Sequence, residues 1–390
     1  MKNSWLFVPV LLVLLAACSD PLQPAPATPL AGQPIPGQFI VVLATPELST
    51  QSAQDFELSV SRVATDLGVQ ATTPLRVING FLAENVSSAA LRQLQNDTRV
   101  AYVEQDQIMT ASATQSNPTW GLDRIDERSL PLDGVYRYDT TASSVTAYII
   151  DTGIRSSHND FGGRVVGGVS AIGDGRGSSD CNGHGTHVAG TVGGSTYGVA
   201  KGVKLFAVRV LDCAGSGSNS GVIAGVDWVA SNYKKPAVAN MSLGGGASQA
   251  LDTAVSNAVR AGVTFVVAAG NENQNACNTS PARVGSALTV GATTKEDGRA
   301  SFSNYGSCVD LFAPGQNITS AWFTTDSSTN TISGTSMAAP HVAGAAALYL
   351  QRNQSASPST VASNIKNTAT SGAISSTSGS PNLLLYKGSW

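Results

Sequence analysis

Charge is scarce in this chain. Only 13% of its 390 residues are charged, and the formal net charge is −3. Few surface ion-pair networks are available to hold the molecule together. There is also no basic footprint for a nucleic-acid backbone, so nucleic acid is not an expected partner. Beyond the first fifteen residues no apolar run is long enough to cross a bilayer as a helix. No Cys-x-x-Cys pair occurs, which argues against a thiolate zinc site. The metallopeptidase pattern His-Glu-x-x-His is missing too. What is plentiful is glycine (40 residues) and apolar side chains (42%), the composition of a tightly turned globular protein. The length exceeds what one ordinary domain needs.

Residues 1–18 read as a targeting segment: Lys2 supplies the positive charge and Trp5–Leu15 the short apolar core. Leu15-Ala16-Ala17-Cys18 has the form of a lipobox. The alternative is an ordinary signal peptide with Cys18 beside its cleavage site. Either way the chain is expected to be exported, with a precursor held by lipid only if Cys18 is modified. Residues 19–37, rich in proline, alanine and glutamine, read as an extended linker.

From 38 to 107 the pattern is strand (Gln38–Leu43), helix (Ser49–Leu67), strand (Phe81–Glu84), helix (Ser87–Asn96) and strand (Val100–Glu104). That order suits a small α+β module of the split βαβ, ferredoxin-like kind. Residues 108–118 are small and polar, an exposed and cleavable linker. After it, apolar runs at Val145–Ile150, Leu205–Leu211, Ala237–Met241 and Val263–Ala269 alternate with helical stretches at His184–Gly193, Gly221–Ser231 and Ala250–Ala261. The runs lack clean alternation, as strands covered on both faces do. This is the α/β class with a mostly parallel central sheet flanked by helices. About 275 residues are enough to bury about three quarters of the unfolded surface.

Export permits disulfides. Cys181, Cys213, Cys277 and Cys308 allow three pairings. Separations of 32 and 31 residues make the sequential loops Cys181–Cys213 and Cys277–Cys308 the simplest choice. Each is worth about 3–4 kcal/mol on the chain-entropy estimate.

Four short stretches carry candidate chemistry. Gly334-Thr335-Ser336-Met337-Ala338-Ala339-Pro340-His341 turns into an apolar segment that reaches Leu350. The pattern predicts a loop and then a buried helix opening near Ser336, with Pro340 in its first turn. Ser336 is then either a plain N-cap or a nucleophile beside free N–H groups. Asp151 ends the strand Tyr148-Ile149-Ile150-Asp151, as a turn residue or as a carboxylate where α/β active sites lie. His184 and His187 stand three apart, as a metal pair or as one base with a packed companion. His184, at the helix start, is the expected base, and His187 is expected to be structural. Asn271, in Ala268-Ala269-Gly270-Asn271, is a turn residue or an oxyanion donor just past a strand end.

Taken together, Asp-Thr-Gly at 151–153, His-Gly-Thr-His-Val-Ala-Gly at 184–190, Ala-Ala-Gly-Asn at 268–271 and Gly-Thr-Ser-Met-Ala-Ala-Pro-His at 334–341 resemble the subtilisin-like serine peptidases. The order Asp, His, Ser is theirs. The span 120–386 is similar to the proteinase K branch, nearest the aqualysin group, and residues 38–107 resemble its inhibitory propeptide. Ala339 stands where threonine is common, with no expected effect on the chemistry.

The resemblance implies a zymogen cut near Ser112–Ala113, giving a catalytic domain over 113–390. It implies a monomeric mature serine endopeptidase of broad specificity acting on proteins and peptides. The propeptide would be its intramolecular chaperone and inhibitor. It assigns Asp151, His184 and Ser336 as the triad and Asn271 as oxyanion donor. Substrate strands are expected at Gly215-Ser216-Gly217 and Ser242-Leu243-Gly244, with Ala268 and Gly270 beside them. Structural calcium is expected at Asp310 with the carbonyls of Gly285 and Ala287, and at Asp123, Asp126, Glu127 and Asp133. Glu127 departs from the amide usual there.

Two other classes fit less well. An α/β-hydrolase esterase needs Gly-x-Ser-x-Gly with serine first, whereas residue 338 is alanine and serine comes last. A non-catalytic binding protein would lack one of the four residues, and none is missing.

Overall fold

The computed structural model describes residues 34–44, 52–108 and 113–388. The targeting segment with Cys18, the linker as far as residue 33, the expected helix start at Ser49 and Ser112 of the expected cut lie outside them. The chain divides into two compact units at Met109/Thr110.

The first unit runs β1 (Pro34–Leu43), α1 (Ala53–Asp66), β2 (Gln70–Leu75), β3 (Gly80–Glu84), α2 (Ser88–Asn96) and β4 (Val100–Gln107). Its antiparallel sheet has the order β2-β3-β1-β4. Phe56, Val60 and Ala64, each four residues apart, put one stripe of α1 onto the core with Val41, Phe81 and Leu94. Ser52 and Ser87 cap the two helices by accepting the N–H groups of Asp55 and Ala90. The strand β2 was not expected. Gln-Ala-Thr-Thr-Pro-Leu is mostly exposed and contains Pro74, which a sheet tolerates at its edge, so neither pattern nor propensity announced it.

The second unit is built on a nine-stranded sheet. Its main strands are β5 (Thr146–Asp151), β6 (Val165–Ser170), β7 (Lys204–Arg209), β8 (Ala237–Met241), β9 (Thr264–Ala268), β10 (Leu288–Thr293) and β11 (Leu311–Pro314). The spatial order is β11-β10-β9-β8-β5-β7-β6, continued past β11 by Leu383–Leu384 and Thr370–Ser371. Neighbours are parallel except for that last pair. Every residue of β5, β8, β9 and β10 is buried, as strands covered on both faces require. Helices α3 (His184–Gly193) and α6 (Thr335–Arg352) pack on one face; α4 (Asn219–Asn232) and α5 (Gln249–Ala261) pack on the other. Strand β5 starts the sheet, and the chain continues first to β6 and β7 on one side and then to β8 on the other. Such a switch opens a crevice at the carboxyl end of the central strand, where β5 ends in Asp151.

Helix α6 corrects one expectation. It begins at Thr335, so Pro340 lies in its second turn rather than its first. An interior proline removes one helix hydrogen bond, here the one that would reach the carbonyl of Ser336. Ser242 replaces it: its hydroxyl donates to that carbonyl at 2.7 Å.

Candidate active site

Asp151 is fully buried, and its Oδ1 lies 2.7 Å from His184 Nδ1. The same oxygen accepts the Thr152 N–H. An acceptor on Nδ1 puts the imidazole proton there and leaves Nε2 bare, the tautomer a general base needs. Burial pulls the His184 pKa down, but the charge and hydrogen bond of Asp151, aided by the charge of Asp180, outweigh it, so the net shift is upward.

The start of α3 is held by neighbours. Gly183 has φ +112°, a conformation that favours glycine, and a Cβ there would meet the Trp322 ring. Glycine has no side chain to cap with, so the N–H groups of the first turn find acceptors in Asp180, Asn182 and Thr152. None of the three was singled out in the sequence. The only signal available was Asp180, an acid just ahead of a helix start.

Ser336 is the second residue of α6. In this structure its hydroxyl donates to the Ser242 carbonyl at 3.1 Å and not to His184. Asn271 Oδ1 accepts from the backbone N–H and the hydroxyl of Thr335, at 2.8 and 2.9 Å. That pair fixes the amide orientation and leaves Nδ2 for the pocket it shares with Ser336. Behind it, buried Asn304 accepts the N–H groups of Glu272 and Gln274 and donates to the Ala269 carbonyl and to Glu272. Thr335 and Asn304 also escaped the sequence reading.

Two connected pockets meet along Leu243–Gly245. One holds Ser336, Asn271, Ala268 and Gly270; the other holds His184, Ser242 and Gly215-Ser216-Gly217. All eight expected substrate residues therefore line one groove. Gly215, at φ +79°, and Ser216 close a turn on Asp212, whose N–H donates to the Ser216 carbonyl, whereas Gly245–Gly246 pairs with Thr279–Ser280. The disulfide Cys181–Cys213 and the bond from Asn182 Nδ2 to the Cys213 carbonyl tie the start of α3 to the groove loop. Cys277–Cys308 forms the second bridge.

His187 and His341, the other histidines of the four stretches, are buried and turned away. His187 reaches the Ile318 carbonyl and His341 the Met337 carbonyl. Burial depresses both pKa values to about 4, so both are neutral at pH 7.

The expected cation sites differ in how well they fit. Asp310 has both oxygens engaged: Lys366 Nζ lies 3.0 Å from Oδ1, and the Thr289 N–H donates to Oδ2 at 2.9 Å. The half-exposed Lys366 ammonium is thus a counter-charge that a cation held by Asp310 with the carbonyls of Gly285 and Ala287 would have to displace. In the other cluster Asp123 accepts the Gly134 N–H, and Arg137 approaches Asp126, Glu127 and Asp133. Asp126 keeps one buried oxygen without a partner, and burial raises its pKa to about 6. An orphaned buried carboxylate oxygen fits a hard cation.

Comparison with known proteins places these features. Residues 143–384 match the sequence model of the Peptidase_S8 group, the subtilase family. An extracellular serine proteinase of Thermus sp. (strain Rt41A) is 55% identical, over 99% of each chain. Alkaline serine exoprotease A of Vibrio alginolyticus is 54% identical, over 90% of this chain and 67% of its own. The crystal structure of a cold adapted subtilisin-like serine proteinase superposes with a TM-score of 0.68 at 60% identity, covering 70% of this chain and 99% of the other.

Proposed function

This chain is a serine proteinase that belongs to the subtilase family, and we propose that it is an exported endopeptidase, made as a zymogen, that cuts proteins through an Asp151–His184–Ser336 triad. The observation that carries this reading is the 2.7 Å contact of His184 Nδ1 with buried Asp151, in a groove shared with Ser336 and Asn271.

A serine hydroxyl is a weak nucleophile and needs a base. Rotation of Ser336 away from the Ser242 carbonyl brings its proton to His184 Nε2. Oγ attacks the scissile carbonyl carbon, and the oxyanion is held by Asn271 Nδ2 and the Ser336 N–H. The imidazolium, oriented by Asp151, returns its proton to the leaving amine, and the acyl-enzyme remains. Water then repeats the sequence and releases Ser336. Gly215–Gly217 and Ser242–Gly244 offer backbone to an extended substrate, which favours broad specificity.

Residues 1–18 would direct export, 19–37 link, 38–107 act as folding template and inhibitor, and 108–118 be cut to leave a monomeric enzyme from about 113 to 390. The extracellular Thermus relative supports export. The coverage of 70% by the solved structure supports a mature enzyme of about that size. Calcium is proposed only at Asp123, Asp126, Glu127 and Asp133, where its charge would balance the acidic cluster. A melting temperature unmoved by excess chelator removes that ion from the account.

The test of the main reading is Ser336→Ala. The variant should accumulate as uncut precursor with no caseinolysis and no fluorophosphonate label. Native processing of the purified variant would refute autoprocessing, and retained hydrolysis would refute the triad.

A further inference from the structure

We propose that Asp180 is a positioning residue for the His184–Asp151 couple, acting as the shared cap that fastens the start of α3 to the end of β5. The proposal rests on the triad reading above.

Five donors converge on this carboxylate. Oδ1 accepts the Thr152 hydroxyl at 2.9 Å and the N–H groups of Asn182 and Gly183, each at 2.9 Å. Oδ2 accepts the N–H and the hydroxyl of Thr186, at 3.0 and 2.6 Å. Thr152 directly follows Asp151 in the chain, and its oxygen in turn accepts the Gly185 N–H at 2.9 Å. The link is therefore continuous: Asp151, Thr152, Asp180, first turn of α3, His184. Close approach is built in, because a Cβ on Gly185 would meet the Gly153 carbonyl.

Only a carboxylate satisfies this set. Asparagine has the same shape but turns an NH2 group toward N–H and O–H donors, leaving them unpaired. Charge matters as well as shape. The N-terminal end of a helix is positive and disfavours an imidazolium on its first residue. The charged and titratable groups around His184 are Asp151 on β5, Asp180 in the preceding loop and His187 on α3, the last neutral. Of these the two carboxylates favour the imidazolium that catalysis must form.

The test compares Asp180→Asn, Asp180→Glu and Thr152→Val in the full-length chain after maturation, with active sites counted by fluorophosphonate titration. Asp180→Asn should lower kcat by about 10²-fold, the scale of a misplacement near 1 Å. KM should hold, and the acid limb of kcat/KM should move to lower pH. Asp180→Glu keeps the charge but not the geometry, so kcat should fall while the acid limb stays. Thr152→Val cuts the same link without touching Asp180 and should lower kcat with KM unchanged. If Asp180→Asn does not mature, the other two decide. Native kcat per titrated site in all matured variants, with an unmoved acid limb, would reduce Asp180 to a stability element and overturn the proposal. His184→Ala separates the two readings: hydrolysis retained there refutes the triad, whereas its loss beside a native Asp180→Asn refutes Asp180 alone.

Discussion

The two helices that carry His184 and Ser336 start in opposite ways. At α3 the N–H groups of Gly183, His184, Gly185 and Thr186 all have acceptors. At α6 the Thr335 N–H is held by Asn271, while the Ser336 N–H lies in the first turn, where a helix has no acceptor of its own. The closed end fixes an imidazole. The open end leaves a positive site where the proposed mechanism develops negative charge. One structural device, the unsatisfied helix terminus, is cancelled at His184 and kept at Ser336.

Removing what the open end of α6 would serve should have the largest effect. Ser336→Ala should lower kcat by about 10⁶-fold, the scale known for nucleophile loss in subtilisins rather than a figure derived from this geometry. A peptide-hydrolysis assay reads it. Asn271→Ala leaves the Ser336 N–H alone at the oxyanion. It should cost about 10²–10³ in kcat with little change in KM, again on a scale set by a subtilisin. An equal loss through KM would show that Asn271 binds the ground state instead.

Each helix also carries one buried neutral histidine, His187 in α3 and His341 in α6. Their folded pKa values, about 4, lie below the ordinary value for histidine. The unfolded chain therefore binds more protons between about pH 6.5 and 4, and stability should fall as pH falls through that interval, by about 3 kcal/mol for each residue. Urea midpoints of the Ser336→Ala precursor across this range would test it without self-digestion. His341→Gln should flatten part of the slope, and an unchanged slope would contradict the assignment.

The smallest expected effect is Ser242→Ala. It leaves the Ser336 carbonyl, freed by Pro340, without a donor, and should cost about 1–3 kcal/mol of stability. An unaltered urea midpoint would mean that water replaces the hydroxyl.

Much of this site is legible in the sequence. Asp151, His184, Asn271 and Ser336 stand in short stretches whose local chemistry announces them. The strands and helices of the second unit follow from apolar runs bounded by turns. The supporting residues are not legible, for a consistent reason. Asp180, Thr152, Thr335 and Asn304 act through partners as many as 65 positions away, as when the Thr335 hydroxyl accepts the Gly270 N–H. No local period records such a meeting. The strand β2 is hidden because an exposed edge strand needs no apolar pattern.

The same division holds for the cations. The acidic residues are visible in the sequence, but which of their oxygens find partners is not. Lys366 reaches Asp310 across 56 positions, while Asp126 keeps an unpartnered buried oxygen. Residue type and spacing sufficed for the fold class and the helix on which Ser336 sits, because those depend on local pattern and side-chain chemistry. Which N–H groups are closed, where the Pro340 gap is filled and which carboxylate oxygens find partners depend on atoms that meet only once the sheet has brought distant segments together.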